Sequence, residues 1–219
     1  MVVQRNEKLN HLQRIIPERL VVDSAWLEER GYSKSLRLKY LASGWLERVV
    51  PGVYRRPPAP LRDWPGPSPL SRTEDDRSSA VTWEGIVMSL QGLLGHDDMH
   101  VGGRTALELH GFTHFLRAKG APRVHVYSAR RLPAWLTKTP QAHWVAHTRS
   151  LFANDKGLAD SEADHPNQRA SFDYGWPKSA WPIRLATPER AILEMINELP
   201  GDESFDEVDA MFGGLTSLR

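Results

Sequence analysis

The N-terminal region turns on residues Asp23–Pro57, DSAWLEERGYSKSLRLKYLASGWLERVVPGVYRRP. Asp23 or Ser24 offers the side-chain oxygen that a helix N-terminus needs, which predicts a helix over Ala25–Arg30 with Trp26 and Leu27 facing inward. Gly31 supplies a tight turn, and Ser33 is the expected cap of a second helix, Lys34–Ser43. Gly44 then ends that helix in the left-handed conformation that glycine adopts at little cost. Trp45–Val50 and Val53–Arg56 are β-rich runs separated by Pro51-Gly52, a hairpin signal with a mechanism behind it. Working outward, Asn6–Ile15 reads as a helix with Leu9, Leu12 and Ile16 on one side, and Leu20–Val22 as a short apolar strand. The order helix, strand, helix, turn, helix, hairpin is that of a winged helix-turn-helix.

The faces of the Lys34–Ser43 helix differ in chemistry. Leu36, Tyr40 and Leu41 are expected to pack on Trp26, Trp45 and Leu46, while Lys34, Ser35, Leu38 and Lys39 point outward with Arg37 at the border. A helix of this kind places its N-terminal side chains in the major groove of duplex DNA, and arginine can bind guanine with two parallel hydrogen bonds. Leu38 stands out on a wet face: it is either a contact for a thymine methyl or a second core position. The expected DNA-contacting set is Ser33, Lys34, Ser35, Arg37, Leu38 and Lys39, with Arg48, Arg55 and Arg56 on the wing for phosphate or minor-groove contact.

Charge agrees with that assignment. The whole chain of 219 residues carries only +1, but residues 1–62 hold 12 Lys and Arg against 6 Asp and Glu, net +6. The other 157 residues hold 16 against 21, net −5. A basic head on an acidic body directs the head, and not the body, to a polyanion. The absence of cysteine excludes disulfides and cysteine-based zinc sites and suits a reducing cytoplasm. The polar N-terminus lacks the apolar core of a signal peptide, and no apolar run is long enough to cross a membrane.

Composition divides the chain into a winged-helix domain over 1–56, a Pro/Ser-rich linker over 57–79 and a mixed α/β domain over 80–219, so the expected class is α+β. In the last of these, Trp83, Ile86, Val87, Leu90 and Leu94 recur at helical spacing up to Gly95. Gly103–His110 reads as a helix closed by Gly111. Arg123–Tyr127, Ala142–Thr148 and Ile183–Ala186 read as strands. Thr187-Pro188-Glu189 opens a helix whose apolar face is Ile192, Met195, Ile196 and Leu199. The polar stretch Asn154–Arg169 reads as a loop, and Leu215 and Leu218 as the start of a helix cut short at Arg219.

Candidate chemistry in this domain is thin. His96-Asp97-Asp98-Met99-His100 contains residue types that bind zinc, but the glycines bracketing it favour a polar loop. Gly102-Gly103 before a helix is a place where a phosphate could rest, though without the further glycines and lysine of a phosphate-binding loop a structural turn is favoured. No catalytic serine–histidine–acid set, kinase signature or metal-dependent nuclease motif is present, so neither an enzyme nor a cofactor is expected.

Several stretches together resemble the AbiEi-type antitoxins of type IV toxin–antitoxin systems. They are SLRLKYLASGWLERVVPGVYRRP (35–57), VTWEGIVMSLQGLLG (81–95), HVGGRTALELHG (100–111), RVHVYS (123–128) and LATPERAILEMINELP (185–200). The resemblance implies a repressor of its own two-gene operon, acting on upstream inverted repeats through the N-terminal domain with two copies on DNA, cooperatively bound or self-associated. It implies that the C-terminal domain counteracts a nucleotidyltransferase-like toxin without a stable complex, and that family members continue with further helix beyond the position of Arg219. Two alternatives stay open at this level: a winged-helix regulator with a ligand-sensing domain, and a nucleic-acid-processing enzyme.

Overall fold

The computed structural model describes residues 2–57, 81–112, 121–147, 171–175, 180–201 and 203–214. The Pro/Ser-rich segment after Pro57, the polar stretch 154–169 and the residues from Leu215 to Arg219 lie outside the described set. The chain divides into two compact units, Met1–Ser89 and Leu90–Arg219.

The first unit is a winged helix-turn-helix. Helix α1 (Val2–Ile15) is followed by strand β1 (Val21–Asp23), helix α2 (Ser24–Glu29), helix α3 (Lys34–Ala42) and the hairpin β2 (Glu47–Val50) and β3 (Val53–Arg55). The capping residue of α2 is Asp23, whose carboxylate accepts from the Trp26 N–H at 2.9 Å. The two helices of the helix-turn-helix end alike. Gly31 and Gly44 have positive φ angles of 79° and 71°, which lets the next residue turn back onto the helix. Tyr32 N–H thus reaches the Leu27 carbonyl, and Trp45 N–H the Tyr40 carbonyl, each at 2.9 Å. Strand β3 is central in an antiparallel β1-β3-β2 sheet, with Val22 opposite Tyr54 and Glu47 opposite Arg55. The wing turn is fixed by the Ser24 N–H, which donates to the Gly52 carbonyl at 2.8 Å.

Leu12, Ile16, Val21, Val22, Leu27, Tyr32, Leu46 and Val53 form the core of this unit. The expected packing of Trp45 is corrected: the residue is 42% exposed. After the turn at Gly44, Trp45 and Leu46 both donate their N–H groups to the Tyr40 carbonyl, and the inward position is Leu46. Strand β2 accordingly starts at Glu47 and not at Trp45.

Helix α4 spans Trp83–Gly92. Within the first unit, the Val21 N–H donates to Ser89 Oγ at 2.8 Å, and Ser89 Oγ donates in turn to the Gly85 carbonyl at 2.6 Å. Gly85 lies against the backbone of Arg19, where an added Cβ would come within 2.6 Å of the carbonyl oxygen. A residue 68 positions away therefore satisfies a polar group at the end of the winged-helix sheet.

The second unit is a mixed sheet in the order β6-β5-β4-β8-β7, with its helices packed on it. Its strands are β4 (His100–Val101), β5 (Arg123–Tyr127), β6 (His143–His147), β7 (Ser171–Gly175) and β8 (Pro182–Ala186). Strand β4 runs antiparallel to β5 and parallel to β8, and β5 runs parallel to β6. The inner strands carry the fully buried side chains Val101, Val124, Val126, Ile183 and Leu185, which register and the two-residue alternation of a strand place on one face of the sheet. Helix α5 (Gly103–Leu109) packs on α6 (Pro188–Asn197), and α7 (Phe205–Gly214) follows. Thr187 caps α6 by accepting from the Arg190 N–H, with Pro188 in the first turn. The inward face of α6 is not the apolar stripe that its periodicity predicts. Ile192 and Met195 are buried, but so are Arg190 and Glu194, while Ile196 is 37% exposed. Strand β7, and β4 at a place read as part of a polar loop, are found only in the structure.

Removing the hydroxyl in Ser89→Ala leaves the Val21 N–H without its acceptor. The expected loss is about 1–3 kcal/mol of unfolding free energy, with faster hydrogen exchange at the Val21 amide. Urea titration and amide exchange check both.

Candidate functional site

The outer face of α3 is set by what its inner face holds. Arg37 and Tyr40 are its buried residues. The Arg37 guanidinium donates to the Tyr32 carbonyl at 2.8 Å and to Glu28 Oε1 at 2.7 Å, linking α3 to the end of α2 and the turn between them. Arg37 is only 4% exposed, so the structure moves it from the border of the outward face, where sequence placed it, to the interior. Lys34, Ser35, Leu38 and Lys39 are exposed, with Ser33 at the helix start. Leu38 is 51% exposed, which settles it as a surface position and not a second core position. Ser33 and Ser35 hydroxyls lie 3.1 Å apart.

The expected basic residues of the wing divide into two kinds. Arg48 is exposed on β2. Arg55 is opposite Glu47 on the hairpin and donates to it at 2.7 Å through Nε. Arg56 donates to the Gln13 carbonyl and to Glu18, both at 2.5 Å, which holds the end of the wing against the α1 region. Lys34, Lys39 and Arg48 thus have no ion pair among the described residues, while Arg37, Arg55 and Arg56 each have one. Tyr32, whose hydroxyl donates to the Lys8 carbonyl and so accepts from His11 Nδ1 (2.9 Å), ties α1 to the turn before α3. Burial, with Tyr40 nearby, pushes its phenol up to about 12.

In the second unit the polar chemistry is internal. Glu194, on α6, has no exposed side-chain surface. Its Oε1 accepts from His100 Nε2 at 2.7 Å and from Arg190 Nε at 2.6 Å, and its Oε2 accepts from the Gly103 N–H at 3.0 Å. Burial pushes this carboxyl up, but the hydrogen bonds and charges of His100 and Arg190 outweigh it and hold the group below the usual carboxylate range. The Gly102-Gly103 pair is explained by the same residue. A Cβ on Gly102 would fall 2.0 Å from Glu194 Oε2, and the N–H group offered to an anion is taken by the protein's own carboxylate.

A second buried pair lies nearby in the chain. Arg104 binds Glu203 through Nε at 2.9 and 3.0 Å and also through Nη2, and reaches Glu207 at 3.1 Å. His147 joins Glu198 (3.1 Å) and stacks on Tyr127 at 4.3 Å between ring centres. Burial, then the carboxylates Glu194, Glu198 and Glu203, drive the Tyr127 phenol far above its ordinary range. Glu194 and Glu203 are wholly enclosed. The His96–His100 segment is likewise dispersed. His100 serves Glu194, Asp98 accepts from Ser128, the Ala129 and Arg130 N–H groups and the Arg130 guanidinium, and Asp97 pairs with Arg130. Among the described residues no group of three His, Asp or Glu is placed to hold a metal ion, and no helix is long and apolar enough to cross a membrane.

Two family models match the chain. The AbiEi antitoxin N-terminal domain of transcriptional regulators matches residues 5–118, and the AbiEi antitoxin of type IV toxin–antitoxin systems, also described as a transcriptional regulator, matches residues 121–219. The chain belongs to the AbiEi antitoxin family. No curated protein matches it. It is an AbiEi-type transcriptional regulator and antitoxin of a type IV toxin–antitoxin system, and both family descriptions are those of regulators and not of enzymes. The buried network joins the two AbiEi matches: His100, Gly103 and Arg104 belong to the first, and Arg190, Glu194 and Glu203 to the second. The stretches GGRTALELHG and ATPERAILEM, separate in sequence, thus meet at Glu194.

Sequence reading missed Glu28, Ser89, Glu194 and Glu203. A signal existed for two of them. Ser89 interrupts the apolar run Ile86-Val87-Met88, and Arg190 and Glu194 are four apart on a helix, the spacing of a facing ion pair. Nothing local marks Glu28 or Glu203.

Glu194→Gln is expected to cost about 3–5 kcal/mol, the usual result of breaking a buried charge pair, and Gly102→Ala to destabilise by steric conflict with the same carboxylate. Because the folded value of Glu194 lies below its ordinary value of 4.5, its contribution is complete above that pH and is lost as the pH falls through the folded value. Urea unfolding from pH 7 to pH 3 therefore shows a steeper acid loss in the unaltered protein than in Glu194→Gln. Arg37→Ala is expected to lower stability by about 1.5–3 kcal/mol, in the range for hydrogen bonds to charged groups, whether or not nucleic acid is present.

Proposed function

We propose that the Met1–Ser89 unit binds double-stranded DNA, with α3 in the major groove, and represses transcription of its own operon. The observation that carries the reading is the exposed set Lys34, Lys39 and Arg48, without an ion pair among the described residues, on a winged helix-turn-helix whose Arg37, Arg55 and Arg56 are held by Glu28, Glu47 and Glu18. Ser33, Lys34, Ser35, Leu38 and Lys39 face the groove. Arg48 contacts phosphate from the wing. Arg37 acts by holding α3 at its angle to α2, and Arg55 and Arg56 by shaping the wing.

The operator is an inverted repeat upstream of the operon, occupied by two copies of the chain that cooperate on DNA. Residues 1–56 carry the DNA contacts and residues 80–219 the antitoxic activity, which opposes a nucleotidyltransferase-like toxin without a stable complex, in the cytoplasm. Family membership and the +6 charge of residues 1–62 support this division.

The test is an electrophoretic shift with the upstream DNA of the operon across a salt series. Lys34→Ala and Lys39→Ala are expected to weaken binding while leaving urea unfolding unchanged. For each lost phosphate contact, the slope of log affinity against log salt falls by about 0.9. Equal binding of upstream and unrelated duplexes at every salt concentration would reject operator recognition. Growth rescue after toxin induction, by the whole chain and by a form lacking residues 1–56, separates antitoxicity from repression.

A further inference from the structure

We infer that Leu38 reads the 5-methyl group of thymine in the DNA site, a specificity contact that rests on the DNA-binding reading above. Three observations lead there. Leu38 is half-exposed although it lies on a helix with a well-formed core side. The burial of Arg37 and Tyr40, with the Arg37 guanidinium bound to Tyr32 and Glu28, fixes the rotation of α3 so that Leu38 stays outward. Its neighbours on the exposed face are Lys34, four residues before it, and Lys39 beside it, both exposed and without an ion pair among the described residues.

An apolar group flanked by exposed cations calls for a partner that is a polyanion and yet presents an apolar feature. In the major groove of duplex DNA the base edges show hydrogen-bond donors and acceptors, and the apolar group among them is the thymine methyl. Phosphates flanking that base suit Lys34 and Lys39. A wholly polar face at position 38 would serve non-specific binding equally well, so the leucine adds discrimination where the lysines add affinity.

The experiment uses the full chain and duplexes from the upstream region of its operon, with the bound segment defined by footprinting. Each thymine in that segment is replaced singly by deoxyuridine, which removes the methyl and keeps the base pair, and affinity is measured at one salt concentration for the unaltered protein, Leu38→Ala and Leu38→Met. At one thymine in each half-site, loss of the methyl is expected to weaken binding by about fourfold, the value of burying one such group. Leu38→Ala should bind the thymine duplex about as weakly and be indifferent to the replacement, while Leu38→Met retains discrimination. Tight operator binding with no penalty at any thymine, or a penalty that persists in Leu38→Ala, overturns this inference and leaves the DNA-binding reading intact. Failure to bind any upstream duplex overturns both.

Discussion

A single enclosed carboxylate organises the second unit. Glu194 has no exposed side-chain surface, so its charge must be met by hydrogen bonds and charges within the fold. His100 from the sheet, Arg190 from its own helix and the backbone N–H of Gly103 meet it. That requirement fixes the start of α5 against the face of α6 and forbids a side chain at Gly102. An apolar pair at these positions would pack as well, but would not dictate which turn of α5 meets which turn of α6. The Arg104–Glu203 pair applies the same logic after α6, where it fixes the entry into α7.

A related constraint governs the first unit. Arg37 is the hinge between what the helix-turn-helix buries and what it shows. Its guanidinium satisfies the Tyr32 carbonyl in the turn and the Glu28 carboxylate at the end of α2, so turn, α2 and α3 are held as one piece. The exposed side of α3 follows geometrically: with positions 37 and 40 inside, positions 34, 35, 38 and 39 are outside. The arginines of the wing are spent in the same way, on Glu47, Glu18 and the Gln13 carbonyl. Charge therefore divides by role: Arg37, Arg55 and Arg56 build the shape, while Lys34, Lys39 and Arg48 remain exposed without an ion pair among the described residues.

The winged helix was readable because each of its elements announces itself locally. Asp23 caps, Gly31 and Gly44 stop helices, and Pro51-Gly52 turns a hairpin, and these effects act over four residues or fewer. The strands Arg123–Tyr127 and Ile183–Ala186 and the helix after Thr187 were readable for the same reason. Errors arose where a residue's environment depends on a distant partner. Arg37 looks like a surface cation because arginine is usually exposed, and only Glu28 and the Tyr32 carbonyl make its burial affordable. Trp45 looks like core because tryptophan usually is, and the turn at Gly44 sends it outward. Ile196 and Glu194 exchange their expected sides on α6 because His100 and Gly103 await the carboxylate.

Sequence by itself therefore determined the order of the elements in the winged helix and the basic character of residues 1–62, since capping, turn chemistry and net charge are properties of short stretches or of sums. Tertiary structure decided that Arg37, Arg55 and Arg56 are held in ion pairs while Lys34, Lys39 and Arg48 have none among the described residues, and that Leu38 is a surface residue. It also decided that two stretches some ninety residues apart are halves of one network. The physical reason is the cost of burying charge: whether an arginine or glutamate can enter the interior depends on donors and acceptors that only the folded chain brings within 3 Å.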